Sequence, residues 1–112
     1  MPHYLVELYT PTPRWLQLPA AQRAQFLAAV REGMGQLAGL GIAPLALGAA
    51  ETGVARASAH RFLGIWRCAD AAARDALLAG IQASGWYEFF DHVNASGPGG
   101  DLEGHLLELA QA

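Results

Sequence analysis

The chain has no lysine. All seven of its basic residues are arginines, and they are scattered rather than clustered. With a net charge of −3 and no basic patch, nucleic-acid binding is excluded as an expectation. There is one cysteine, Cys68, so no internal disulfide can form. No CxxC or Cys/His pattern with zinc spacing occurs, and no metal site is expected. No apolar run reaches the ~20 residues that a membrane helix needs. The opening residues, Met1 to Glu7, read as a strand and lack a basic region followed by a long apolar one. No secretory leader or membrane association is therefore expected, and a cytoplasmic location is. Charged residues are also scarce, at 15% against 53% hydrophobic, where about a quarter charged is usual. That shortfall points to apolar surface covered by a partner, most simply a second copy. Abundant Ala, Gly and Arg offer a compositional reason for the same shortfall.

Chemistry is concentrated in one stretch, Gly85 to Ser96. It holds Trp86, Tyr87, Phe89 and Phe90, two acids, His92 and Asn94. The rest is largely Ala, Leu and Gly, which pack but do little chemistry. One domain is expected over residues 1–112, with a core of about 3–97 and a C-terminal extension of 98–112.

His3 to Thr10 alternates, with Tyr4, Val6 and Leu8 on one side and His3, Leu5, Glu7 and Tyr9 on the other, as a strand does. Phe26, Leu27, Val30, Met34 and Leu37 recur at helical spacing after Pro19. Ile42 to Gly48 contains a proline and reads as an edge strand, and Ala49 to Ala59 as a loop. His60 to Cys68 is a second strong strand, apolar on both faces. Asp70 caps a second helix striped by Leu77, Leu78 and Ile81. Trp86 to Phe90 suits one further helical turn, and His92 to Ser96 a fourth strand. Asp101 to Ala110 suits a short terminal helix striped by Leu102, Leu106 and Leu109, weakened by Gly104.

The order strand, helix, strand, strand, helix, strand predicts an α+β, ferredoxin-like βαββαβ sandwich. Its four-stranded antiparallel sheet should run 4-1-3-2, with both helices on one face. The expected core is Val6, Leu63 or Ile65, Val30, Met34 and Leu78. The opposite face would then carry Leu5, Tyr9, Phe62 and Trp66, too apolar for open water, so a homodimer is expected.

The element order, together with His60-Arg61-Phe62-Leu63-Gly64-Ile65-Trp66 and Trp86-Tyr87-Glu88-Phe89-Phe90-Asp91-His92-Val93-Asn94, resembles the dimeric α/β-barrel superfamily. The same two segments are similar to a group of short bacterial proteins of unknown function within it. The resemblance covers roughly residues 3 to 97. It implies a sheet-to-sheet dimer with a pocket in each subunit between sheet and helices or loops. Members of the superfamily include cofactor-free monooxygenases of aromatic polyketides, muconolactone-type isomerases, haem-degrading monooxygenases and non-catalytic binders. No catalytic motif of one member maps onto this chain.

If Val6, Ile65 and Val93 face the helices, then Glu7, Tyr9, Trp66, His92 and Asn94 share the other face, with His3 and His60 near strand ends. His92 is then a candidate general base, because imidazole ordinarily titrates near neutrality. Glu7 would orient it or act in its place, and Asn94 and Tyr9 would stabilise a developing oxyanion. Trp66, Trp86 and Phe90, with His60, would wall a flat aromatic ligand. The competing readings are structural. They are a histidine bonded to backbone or Asp91 at a dimer seam, Glu7 paired with Arg61 or Arg67 across the interface, aromatics that merely pack, and Trp15 as a loop anchor rather than a lid. No cofactor is called for, and His92 as a haem ligand rests on superfamily analogy alone. The function expected is a cofactor-independent enzyme, monooxygenase- or isomerase-like, acting on a small aromatic or polyketide-like molecule. The alternative is a non-catalytic ligand-binding or regulatory dimer.

Overall fold

The computed structural model describes residues 1–112. Strand β1 (His3–Pro11) leads into a short helix α1 (Pro13–Leu16) and then α2 (Ala20–Met34). A 3-10 turn (Ala38–Leu40) precedes the hairpin of β2 (Ile42–Ala49) and β3 (Phe62–Cys68). Helix α3 (Ala71–Ala83), a single turn α4 (Trp86–Phe89), strand β4 (Phe90–Gly97) and helix α5 (Leu102–Ala110) complete the chain. All strand pairs are antiparallel, in the order β2-β3-β1-β4. This is the expected ferredoxin-like sheet.

Local chemistry explains the boundaries. Asp70 and Asp101 each accept a hydrogen bond from the third residue beyond, Ala73 and Gly104, at 2.8 Å, and so start α3 and α5. Thr12 does the same for α1, accepting from Trp15, where the sequence suggested only a Pro-flanked loop. Trp15 is an anchor and not a lid: it is buried against Phe26, Phe89 and Phe90. Pro44 lies on edge strand β2 beside a bulge, where its missing N–H does least harm.

The expected assignment of faces is reversed. Leu5 is fully buried and Val6 is 38% exposed. The core is Leu5, Ile42, Trp66, Cys68, Ala73 and Leu77, with Met34, Leu37, Leu78 and Ile81 against it. Met34 and Leu78 therefore lie where expected, whereas Val6, Leu63 and Ile65 belong to the open face. Pairing across β1 joins Val6 to Ile65 and Ala95, and Leu8 to Leu63 and Val93. Alternation sorts residues into two sets, but both sets here contain large apolar groups, so it cannot say which set meets the helices. Leu5, Tyr9, Phe62 and Trp66 consequently lie on the helix side of the sheet and are not the exposed face.

Helix α2 packs loosely. None of its residues is buried, although Val30 and Met34 point inward. The space it leaves over the sheet is the site described next.

Candidate functional site

Between the sheet, α2 and α3 lies a cleft of about 400 Å³. Its walls are mostly apolar: Leu27, Val30, Met34 and Leu37 from α2 and the turn after it, Leu77 and Ile81 from α3, Leu47 from β2, with Arg31 and Ser84 the polar exceptions. Its polar floor is formed by Glu7 and Tyr9 of β1, with Trp66 and Trp86 beside them.

Glu7 occupies the middle of β1, paired with Gly64 on one side and Asn94 on the other. It is only 5% exposed. The indole N–H of Trp66 donates to Oε1, and Oε2 lies 3.2 Å from His92 Nε2. Gly64 makes this arrangement possible. A Cβ there would stand 3.2 Å from Glu7 Oε1 and 3.1 Å from Leu47 Cδ2, tighter than ordinary contact. No arginine of its own chain pairs with Glu7. Arg67 is on the open face opposite Tyr4, and Arg61 lies over the Phe62 ring.

His92 stands behind Glu7 rather than in the cleft, and its side chain is 1% exposed. The indole N–H of Trp86 donates to Nδ1 at 3.0 Å. An indole nitrogen can only donate, so Nδ1 is the acceptor and the ring proton is on Nε2. From there it faces Asn94 Oδ1 at 2.7 Å and Glu7 Oε2. The Asn94 amide in turn donates to the Tyr87 hydroxyl at 3.4 Å. The aromatic stretch thus closes on itself through hydrogen bonds, and Asn94 is committed within that network. Tyr9 stacks on His92 at 5.5 Å and on Phe62 at 5.8 Å. Burial, and next the negative charge of Glu7, push its phenol above the usual tyrosine range, so it stays a neutral hydroxyl.

Of the residues expected at the site, Glu7, Tyr9, Trp66 and Trp86 line the cleft. His92 and Asn94 form a second layer behind Glu7. Phe90 is buried beneath Trp86, stacked at 4.0 Å. His60 is elsewhere, its Nδ1 3.0 Å from the Thr10 hydroxyl at the far end of β1. Sequence reasoning placed the α2 stripe in the core and missed its role as a wall. The stripe was visible, but the gap beneath it was not. A haem held by His92 does not fit this arrangement. Nδ1 is occupied by Trp86, Nε2 faces Asn94 and Glu7, and neither His nor Cys lines the cleft.

No curated protein matches the chain. Among solved structures, a mutant chlorite dismutase from Candidatus Nitrospira defluvii superimposes with a TM-score of 0.69 at 12% identity, over 89% of this chain and 40% of that one. A second structure described as a chlorite dismutase superimposes with a TM-score of 0.57 at 14% identity, over 81% and 39% of the two chains. The chain thus spans about two fifths of the length of both, and at such identity the likeness establishes the ferredoxin-like fold alone. The family model that matches residues 2–112 is that of the family of unknown function DUF6616, and the chain belongs to that family.

Proposed function

We propose that the cleft binds a small, largely apolar molecule, aromatic in its reacting part, and that the protein is a cofactor-independent enzyme with Glu7 as proton acceptor. One observation carries this reading: a carboxylate 5% exposed, paired with no arginine of its own chain and bonded by the Trp66 indole, forms the floor of a cleft whose walls are mostly apolar. A buried acid held only by neutral donors is poised to receive a proton or a donor group from whatever fills the cleft. His92 and Glu7 exchange the roles that the sequence suggested. The Nδ1 lone pair of His92 is occupied by Trp86, whereas each oxygen of Glu7 retains a free lone pair.

In the proposed step a C–H or O–H proton of the ligand passes to Glu7, and its electron pair remains on the ligand. The neutral N–H groups of Trp66 and His92 hold the carboxylate in place, and Tyr9 is the hydroxyl available to the developing oxyanion. Return of the proton to a different carbon is an isomerisation. Capture of O₂ at the deprotonated carbon, return of the Glu7 proton to the resulting peroxide, and loss of water with that carbon's second hydrogen to leave a carbonyl, is a monooxygenation. A second reading, non-catalytic binding in the same cleft, is supported by the sealed position of His92.

We also propose that the working unit is a homodimer. A compact chain of this mass exposes about 6,000 Å², and this one exposes 7588 Å². Its radius of gyration is 15.9 Å, against about 13 Å for a compact chain of this length. The open face of Val6, Leu8, Leu63, Ile65 and Val93 is the surface a second sheet would cover.

A thermal-shift screen of small phenols, enolisable ketones and their carboxylated analogues tests the site. Donor-bearing neutral ligands should stabilise the protein more than their carboxylated analogues, whose charge Glu7 repels at the cleft floor. With a turned-over ligand in hand, Glu7→Gln should lower kcat by about 10²–10⁴-fold with binding retained. His92→Ala should cost less in turnover and more in stability. Unchanged turnover in folded Glu7→Gln would leave the binding reading.

A further inference from the structure

Helix α5 has no support within its own chain. It is nine residues long, and isolated helices under about 12–15 residues are marginal in water. Leu102, Leu106 and Leu109 share one face at i, i+4 and i+7 and are 69%, 49% and 58% exposed. Glu103, Gly104, His105 and Glu108 take most of the remaining circumference, with Leu107 among them, 64% exposed. None of its residues is buried. The start of the helix is nevertheless built in, with the Asp101 carboxylate accepting from the Gly104 N–H at 2.8 Å. A formed amphipathic helix with an unoccupied apolar stripe requires a surface to rest on.

We propose that α5 is an arm that packs on a second copy of this chain, at the margin of the seam where the two sheets meet. The inference rests on the dimer reading above and extends it. Three observations select a second copy as the occupant. The surface in excess of a compact monomer is about 1,600 Å² per chain, well beyond the roughly 800 Å² per partner of a standard interface. The sheet seam and the arm together can account for such an excess. The arm also follows directly on the edge strand β4, whose open-face residues Val93 and Ala95 are themselves exposed, so its root adjoins the open sheet face. Finally, the Gly97-Pro98-Gly99-Gly100 connection holds Gly99 at φ +72° against the Tyr4 ring, where a Cβ would approach to 2.8 Å. That contact ties the root of the arm to the open face of the sheet, where Tyr4 lies with Val6 and Leu8.

The test uses the full chain. Benzoylphenylalanine in place of Leu106 should, on irradiation, give a covalent species of twice the chain mass. Leu102→Asp with Leu106→Asp should weaken the dimer by at least about 100-fold in Kd and abolish hydrogen-exchange protection of the α5 amides. A wild-type dimer whose α5 amides exchange freely, or a photoproduct confined to one chain, overturns the arm and leaves the dimer reading standing. A monomeric wild type overturns both. A dimer unaffected by the double substitution, with Val6→Asp monomeric, assigns the interface to the sheets alone.

Discussion

Two residues show how much of the site depends on single atoms. Tyr9 has its phenol pushed upward by burial and then by Glu7. The folded form therefore holds its proton at a pH where the unfolded chain, titrating near the ordinary value of 10.0, releases it. The stabilisation is complete below that value and is lost as pH rises above it towards the folded pKa. Chemical unfolding at increasing alkalinity should show this loss, and Tyr9→Phe should flatten it. Gly64 is the second case. Gly64→Ala would force Leu47, Glu7 Oε1 or the Trp66 indole to move, since all three lie within 3.4 Å of the new Cβ. A loss of about 1–3 kcal/mol is expected, with the displaced Trp66 visible in its fluorescence. A variant as stable as the parent, with unaltered emission, would remove Gly64 from the account of the site.

At the scale of elements, α2 and α3 are unequal. Helix α3 buries Ala73 and Leu77 in the core and is capped by Asp70. No residue of helix α2 is fully buried, though Met34 packs against the core, and its N-terminal position, Pro19, makes no side-chain cap. Local opening follows the lack of buried apolar contacts, so the amides of Ala20–Met34 should exchange faster than those of Ala71–Ala83. A ligand in the cleft packs against Leu27, Val30 and Met34, and its binding should slow α2 selectively. Equal protection of both helices without ligand would contradict this. Strand β1 presents the converse case. As a central strand it is paired on both edges, and the rigid backbone there suits a residue such as Glu7 that must not move.

For the whole molecule, only 10 of 112 residues are buried, few for a chain whose composition is more than half hydrophobic. On the homodimer proposed above, the missing burial belongs to the assembly. Light scattering should give twice the chain mass at micromolar concentration. Val6→Asp, which places a charge at the centre of the open face, should shift the equilibrium towards monomer. A wild-type protein that remains monomeric at high concentration would refute the dimer.

The order of strands and main helices, the strand order and the starts of α3 and α5 were legible in the sequence because each depends on local chemistry or on the handedness of crossovers. Asp70, Asp101, Pro44 and the stripe of α3 all did what their residue types dictate. The grouping of Glu7, Tyr9, Trp66, His92 and Asn94 on one face was legible too, because alternation along a strand is strict. Which face that was could be decided only in three dimensions. Both faces of β1 and β3 carry bulky apolar side chains, and the choice follows from where Trp66, Cys68 and Leu5 meet Ala73 and Leu77. The order of layers within the site was also tertiary. Only the approach of Trp86 to Nδ1 withdraws His92 from the cleft, and only the standing-off of α2 leaves Glu7 a cavity to face.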